Sequence, residues 1–312
     1  MNNFIINKKF KLKCMCLLVF ISISVHLNNV YASSNLQDLS IVIASCDKYS
    51  GLWSPFFSLL FKYWPSLIDN NKENEIPIFL IANNRKFDHP IVQHVLFPNE
   101  ISWSDNIVDA LSQVQTKYVL YLQEDYFLTR QVNEELLAKM LNYIKEHHVA
   151  YLEISAFNSK VQSTKSPIID KDIANLAEFT KHSSYRTSLQ AGIWDKEALI
   201  WLIKSGETAV DFELAGSKRS EGMQRLFLAH VEVDKDPIQY INAVIGGLLL
   251  QSAVDYVHSQ GIEFDPKLQP LPIDQNCKFI LLKRKIFGML KTDRTRELKK
   301  KIQYYFKKFI YS

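Results

Sequence analysis

Two acidic residues, Glu124 and Asp125, stand directly behind an apolar run, Tyr118 to Leu122, with only Gln123 between. Carboxylates in that position can hold a hard divalent cation, with water or a diphosphate completing the coordination. The same two residues could instead merely open a loop and cap the next element. A second acidic group, Glu207, Asp211 and Glu213, precedes Gly216-Ser217-Lys218-Arg219. There a carboxylate facing an acceptor hydroxyl would act as general base, or else the segment is a solvated acidic helix. Asp47 and the pair Asn83-Asn84 also follow short apolar runs.

The elements that must position these groups alternate β-branched runs with helical periodicity, the pattern of an α/β sheet. Strands are predicted at 41–45, 78–81, 95–97, 118–122, 149–154, 226–233 and 238–245. Helices are predicted after Cys46-Asp47-Lys48, as an aromatic stretch running to Trp64 and stopped by Pro65, and from Ser104 as cap through the stripe Ile107, Val108, Leu111 and Val114. Two more follow, from about Asn133 to His147 and from about Trp194 to Gly206. Residues 155–185 lack firm periodicity and read as a long loop, a length usually reserved for lids or mobile segments. In an open α/β sheet ligands bind outside the carboxyl ends of the strands. Asp47, Asn83-Asn84 and Glu124-Asp125 all fall there on this reading.

Composition narrows the function classes. The chain has 312 residues, 47% of them hydrophobic and 22% charged, which suits a packed fold. The net charge of +4 conceals an asymmetry: residues 1–13 carry four lysines and no acid, and 278–312 carry a net +10, leaving -10 for residues 14–277. An acidic body argues against nucleic acid as the main ligand, because neutralising phosphates needs a basic face. There is no GxGxxG, Walker loop or GxSxG, which removes ordinary dinucleotide enzymes, P-loop NTPases and typical α/β hydrolases. Cysteine spacing offers neither a disulfide framework nor a zinc site. His147-His148 reads as the decoration of a helix end.

The two ends are distinct. Lysines 8, 9, 11 and 13 precede an apolar run from Cys14 to Val25 and then Val30-Tyr31-Ala32, which reads as a signal peptide cleaved after Ala32 or as a membrane anchor. The expected organisation is therefore a leader at 1–32, one domain at 33–276 and a basic amphipathic helix at 277–312. That helix either lies on an anionic membrane surface or packs one stripe on its own domain.

In order along the chain stand Cys46-Asp47-Lys48-Tyr49, Leu52-Trp53, Tyr63-Trp64-Pro65, Ile101 to Asp105 and Tyr121 to Tyr126. Ser188 to Trp194 and the Glu207 to Arg219 segment come after them. This series resembles a bacterial-type, family-2-like glycosyltransferase of the GT-A fold over roughly residues 39–250. The resemblance implies a Rossmann-type three-layer α/β/α fold with a mixed central sheet. It implies that Asp47 meets the base or ribose of a nucleotide-sugar, as would Ser104 or Asp105, with Asn83 and Glu124 also lining the donor site. It puts Gln123-Glu124-Asp125 at the Asp-x-Asp position, with Asp125 on Mn²⁺ or Mg²⁺, and Gln123 departs from that pattern. Glu213, with Asp211 as understudy, would deprotonate the acceptor in an inverting transfer. Trp53, Trp103 and Trp194 are expected near strand ends, where each would stack on sugar or fill the core.

The partners implied are a nucleotide-sugar donor and a saccharide or other hydroxyl acceptor. A different class of function also fits: a secreted or membrane-attached saccharide-binding or host-interaction protein that transfers nothing, favoured by the leader and by Gln123. A phosphotransferase or nucleotidyltransferase using Glu124-Asp125 is the third reading. The leader leaves two locations open, export or attachment to the cytosolic face of a membrane.

Overall fold

A computed structural model of the chain describes residues 36–69, 75–99, 101–156, 168–170, 175–264 and 273–274. The strands are β1 (Leu39–Ala44), β2 (Ile78–Ala82), β3 (Val92–Leu96), β4 (Tyr118–Gln123), β5 (Tyr126–Leu128), β6 (Tyr151–Glu153), β7 (Ile168–Asp170), β8 (Leu176–Glu178) and β9 (Gly192–Asp195). They continue with β10 (Phe227–His230), β11 (Tyr240–Asn242), β12 (Val244–Ile245), β13 (Leu248–Leu250) and β14 (Ile273–Asp274). Helices are α1 (Trp53–Tyr63), α2 (Trp103–Gln113), α3 (Glu134–Glu146), α4 (Lys196–Leu202), α5 over 209–220 and α6 (Gln251–Ser259).

Nine strands form one mixed sheet in the order β3-β2-β1-β4-β9-β6-β10-β8-β7. β9 and β8 run against the other strands, so β2, β1, β4, β6 and β10 all end on one edge. β5 pairs antiparallel with β11, and β12, β13 and β14 form a small third sheet.

The sheet is covered on both faces, which explains why β1 and β4 read as unbroken apolar runs. Ile41, Ile43, Leu120 and Leu122 face one core with Phe56, Leu60, Leu141 and Val254 from α1, α3 and α6. Val42, Val119 and Tyr121 face the other with Ile107, Leu111, Leu199 and Phe212 from α2, α4 and α5. This is the three-layer mixed α/β arrangement expected.

Several expectations need correcting. The cap of α2 is Ser102, two residues before the expected Ser104. Ser102 has extended backbone angles and its hydroxyl accepts the N–H of Asp105, whereas Ser104 already lies inside the helix. Residues 155–185 are not one loop, because β7 and β8 extend the sheet within them. α4 stops at Leu202, and Gly206, at φ 81°, serves the turn beyond it. The late strand expected at 238–245 is divided into β11 and β12, which pair with different partners. Trp194 is wholly buried in the sheet, stacked on Tyr151 at 4.1 Å, and Trp53 is buried too. Both are core residues and not sugar platforms. The leader and the basic C-terminal helix lie outside the described residues. Among those described, no helix is long and apolar enough to cross a membrane.

Gly192 begins β9 where the backbone passes the Tyr151 ring. A Cβ there would collide with Cε2 of that ring and lie 3.1 Å from the Leu152 carbonyl oxygen. The ring is buried, stacked on Trp194 and flanked by Phe179, so moving it disturbs the core. Gly192→Ala is therefore expected to destabilise the fold by about 1–3 kcal/mol. A urea midpoint equal to that of the unaltered chain would refute this.

Candidate active site

β4 delivers the acidic pair to the edge where the parallel strands end. Glu124 is 6% exposed and Asp125 7%. The turn that holds them is tied to the segment after β11. The Ala243 N–H donates to the Asp125 carbonyl at 2.7 Å, and the Val244 N–H to Oδ2 of its side chain at 3.3 Å. The Ser45 hydroxyl, at the end of β1, interacts with Glu124 and accepts the indole N–H of Trp53 at 2.8 Å.

The electrostatics of the pair are unfavourable as it stands. Burial pushes the Asp125 carboxyl up to about 7. Burial also raises Glu124 well above the carboxylate range, and the neighbouring charge of Asp125 adds to the effect. Among the described residues no lysine, arginine or histidine forms an ion pair with either. Two adjacent carboxylates without a cationic partner suit a hard divalent ion, which would relieve both desolvation and mutual repulsion. No group of three or more ligating side chains gathers among the described residues. Among the described residues an ion held here would have these two carboxylates as its acidic ligands, with water or a diphosphate free to complete the coordination.

The second carboxylate centre is on α5. This helix begins with an α turn at Ala209–Asp211, widens into a π turn at Phe212–Gly216 and closes with Ser217–Ser220. Such π turns often accompany functional sites because they rotate a side chain out of the regular register. Phe212 is buried against Trp103 and Trp194, at 5.5 and 6.2 Å between ring centroids, which fixes the roll of the helix. Glu213, half-buried, then points its Oε1 at the Leu189 N–H, 2.9 Å away. The Tyr126 hydroxyl donates to the Leu189 carbonyl at 2.9 Å. Tyr126, which follows Asp125 in the chain, and Glu213 therefore meet the same residue, Leu189. The phenol of Tyr126 is raised by burial first, with the charges of Tyr240, Asp125, Tyr121 and Glu213 adding to it.

Asp211, the alternative base, is exposed and occupied elsewhere. Its Oδ2 accepts the N–H and hydroxyl of Thr208 while Thr208 caps the Asp211 N–H, a reciprocal box at the start of α5. Glu207 pairs with Arg219 through two 2.7 Å bonds, so these charges knit the ends of α5 together.

Asp47 lies at the end of β1 and binds the end of β2. Its carboxylate accepts the N–H groups of Asn83, Asn84 and Arg85 at 3.0–3.1 Å, and its own N–H donates to Oδ1 of Asn83. Desolvation works to raise the Asp47 carboxyl, but the N–H donors outweigh it and hold the group below 3.8. A carboxyl so depressed contributes stability above its unfolded pKa and loses it as pH falls through the folded one. Asp47→Ala is expected to cost about 1–3 kcal/mol at pH 7, a loss that shrinks as pH falls through the folded pKa, because the neutral carboxyl accepts those N–H groups more weakly. Equal losses at pH 7 and in strong acid, measured by urea unfolding, would contradict it.

Ser104 and Asp105 sit at the N-terminus of α2 on the same edge, and both bind the turn before α5. Ser104 is wholly buried and accepts the Glu207 N–H at 3.0 Å. Asp105 bonds the Ser102 hydroxyl and the Gly206 N–H. Trp103 is half-buried between Phe212 and Tyr121.

Two further polar groups on this edge escaped sequence reasoning. Glu153, 1% exposed, ends β6 near the Tyr151 hydroxyl. His230 ends β10, buried against Asp236 at 2.9 Å, and Asp236 also accepts the Ala156 N–H at 2.6 Å. Glu153 had a legible signal, since it interrupts the apolar run 149–154 as Glu124 follows 118–122. His230 had none without the pairing of β10 to β6.

No family model matches the chain, and no curated protein matches it in sequence. Solved structures with a similar chain path include S. aureus TarS 1–349, at 15% identity and TM-score 0.42, covering 65% of this chain and 59% of that one. The same TarS fragment in complex with UDP matches at 16% identity and TM-score 0.42, with coverage of 65% and 59%. 4-Diphosphocytidyl-2C-methyl-D-erythritol synthase from Anaerococcus prevotii matches at 14% identity and TM-score 0.38, covering 72% of this chain and 96% of that one. The chain thus spans about three-fifths of the TarS fragment's length, 59%.

Proposed function

We propose that this protein is a glycosyltransferase that moves a sugar from a nucleotide-diphosphate donor to a hydroxyl acceptor with inversion. The observation that carries this reading is the buried, cation-less pair Glu124-Asp125 on the sheet edge, joined through Tyr126 and Leu189 to Glu213. Glu124 and Asp125 are the residues that would hold Mn²⁺ or Mg²⁺. When bound there, the ion neutralises charge developing on the departing diphosphate oxygen. Glu213 takes the proton of the acceptor hydroxyl as the new C–O bond forms and the bond to phosphate breaks. The Leu189 N–H fixes one oxygen of that base. Asp47, with Asn83, shapes the donor end of the edge.

A panel of nucleotide-sugars assayed for transfer and donor hydrolysis, with and without Mn²⁺ or Mg²⁺, tests the reading. Ion-dependent release of a nucleoside diphosphate is the expected result. Binding of a saccharide with no effect of nucleotide or ion would support the non-transferring alternative. Pyrophosphate release from a nucleoside triphosphate and a sugar phosphate would instead make it a nucleotidyltransferase.

A further inference from the structure

We propose that Tyr126 and Tyr240 form a clamp that positions Glu213 by gripping the 189–191 segment from behind, a reading that rests on Glu213 as the base. The two rings stack at 4.3 Å between centroids, brought together by the antiparallel β5–β11 pairing. Each hydroxyl then reaches the same stretch of chain. Tyr126 donates to the Leu189 carbonyl at 2.9 Å. Tyr240 donates to Oε1 of Gln190 at 2.6 Å and accepts the Ala191 N–H at 3.2 Å. Held on both sides, the segment presents the Leu189 N–H to Oε1 of Glu213 at 2.9 Å.

The clamp also has a root in the acidic pair. Tyr126 follows Asp125 in the chain, and the Asp125 carbonyl and carboxylate accept the N–H groups of Ala243 and Val244, just beyond the strand that carries Tyr240. Both tyrosines are buried, 3% and 1% exposed, and neither hydroxyl is spent on solvent. They are positioning residues: they act on the acceptor proton only through Leu189 and Glu213.

Tyr126→Phe and Tyr240→Phe test the clamp, the first removing one donor and the second a donor and an acceptor. In either variant hydrogen exchange of the Leu189 amide is expected to rise about tenfold while the Leu120 amide in β4 is unchanged, as the loss of one modest hydrogen bond would give. kcat is expected to fall about tenfold with donor KM unchanged, and to fall no further when the change is placed in a Glu213→Gln background under single turnover. Unchanged Leu189 exchange in Tyr126→Phe overturns the proposal, as does an equal loss of kcat with and without Glu213. Should the unaltered chain transfer no sugar, the base reading fails, and the exchange measurement still decides whether the clamp exists.

Discussion

Glu213→Gln is expected to bind the nucleotide-sugar as tightly as the unaltered protein and to lose about 100- to 10,000-fold in turnover, the range attributable to general base catalysis. The substitution is a clean one because the glutamine carbonyl can still accept the Leu189 N–H that now meets Oε1 at 2.9 Å. The π turn, the buried Phe212 and the Glu207–Arg219 pair that hold α5 do not depend on the charge. What disappears is the capacity to take the acceptor proton. Calorimetry for donor affinity and single-turnover transfer for rate separate the two quantities. Unchanged turnover would move the base elsewhere, with Glu153 the next acid on the same edge. Asp211→Asn should leave turnover within a few-fold, because that carboxylate is committed to capping α5.

Asp125→Asn is expected to stabilise the ion-free protein at pH 8 while abolishing its response to Mn²⁺ and nucleotide. The sign comes from the burial of the carboxyl, which lifts its pKa from 3.8 to about 7. Between those values the folded state keeps a proton that the unfolded chain has released, so stability falls as pH rises through that window. The penalty builds as pH rises through that window, is smaller at pH 6 than at pH 8 and is absent below pH 3.8. Asparagine retains an oxygen for the Val244 N–H without the charge. With Mn²⁺ and nucleotide at 100 times the dissociation constant, the unaltered protein should gain about 2.7 kcal/mol and the variant none. Denaturant unfolding at pH 5 and pH 8, with and without ion and nucleotide, reads all four conditions. A variant less stable than the unaltered chain at pH 8 without ion would mean that the pair is neutralised within the fold, and the ion site would be lost with it.

Much of this architecture is legible along the chain. The runs at 41–45, 78–81 and 118–122 appear as β1, β2 and β4 to within two residues, because strands buried on both faces are apolar without interruption. The helix expected from about Asn133 to His147 appears as α3, since helix periodicity is a local property, and its cap proves to be Asn133. Less local features resist. β7 and β8 are three residues each and owe their existence to the neighbouring strands of the sheet. Ser102 and Ser104 both suit a cap by type, and only the backbone angles and the fit of Ser104 against Glu207 separate them.

Residue order over a few positions was enough to specify an α/β sheet and an acidic pair at the end of its clearest strand. Folding in three dimensions decided the rest. It alone carried Leu189, Tyr126 and Tyr240, up to 114 positions apart, to one edge, where Tyr126 meets the Leu189 carbonyl and the Leu189 N–H meets Glu213. It alone divided three similar acids into a cap, an ion-pair partner and the acceptor of the Leu189 N–H, because a carboxylate's surroundings are set by which donors and charges stand within a few ångströms of it, and those come from distant parts of the chain.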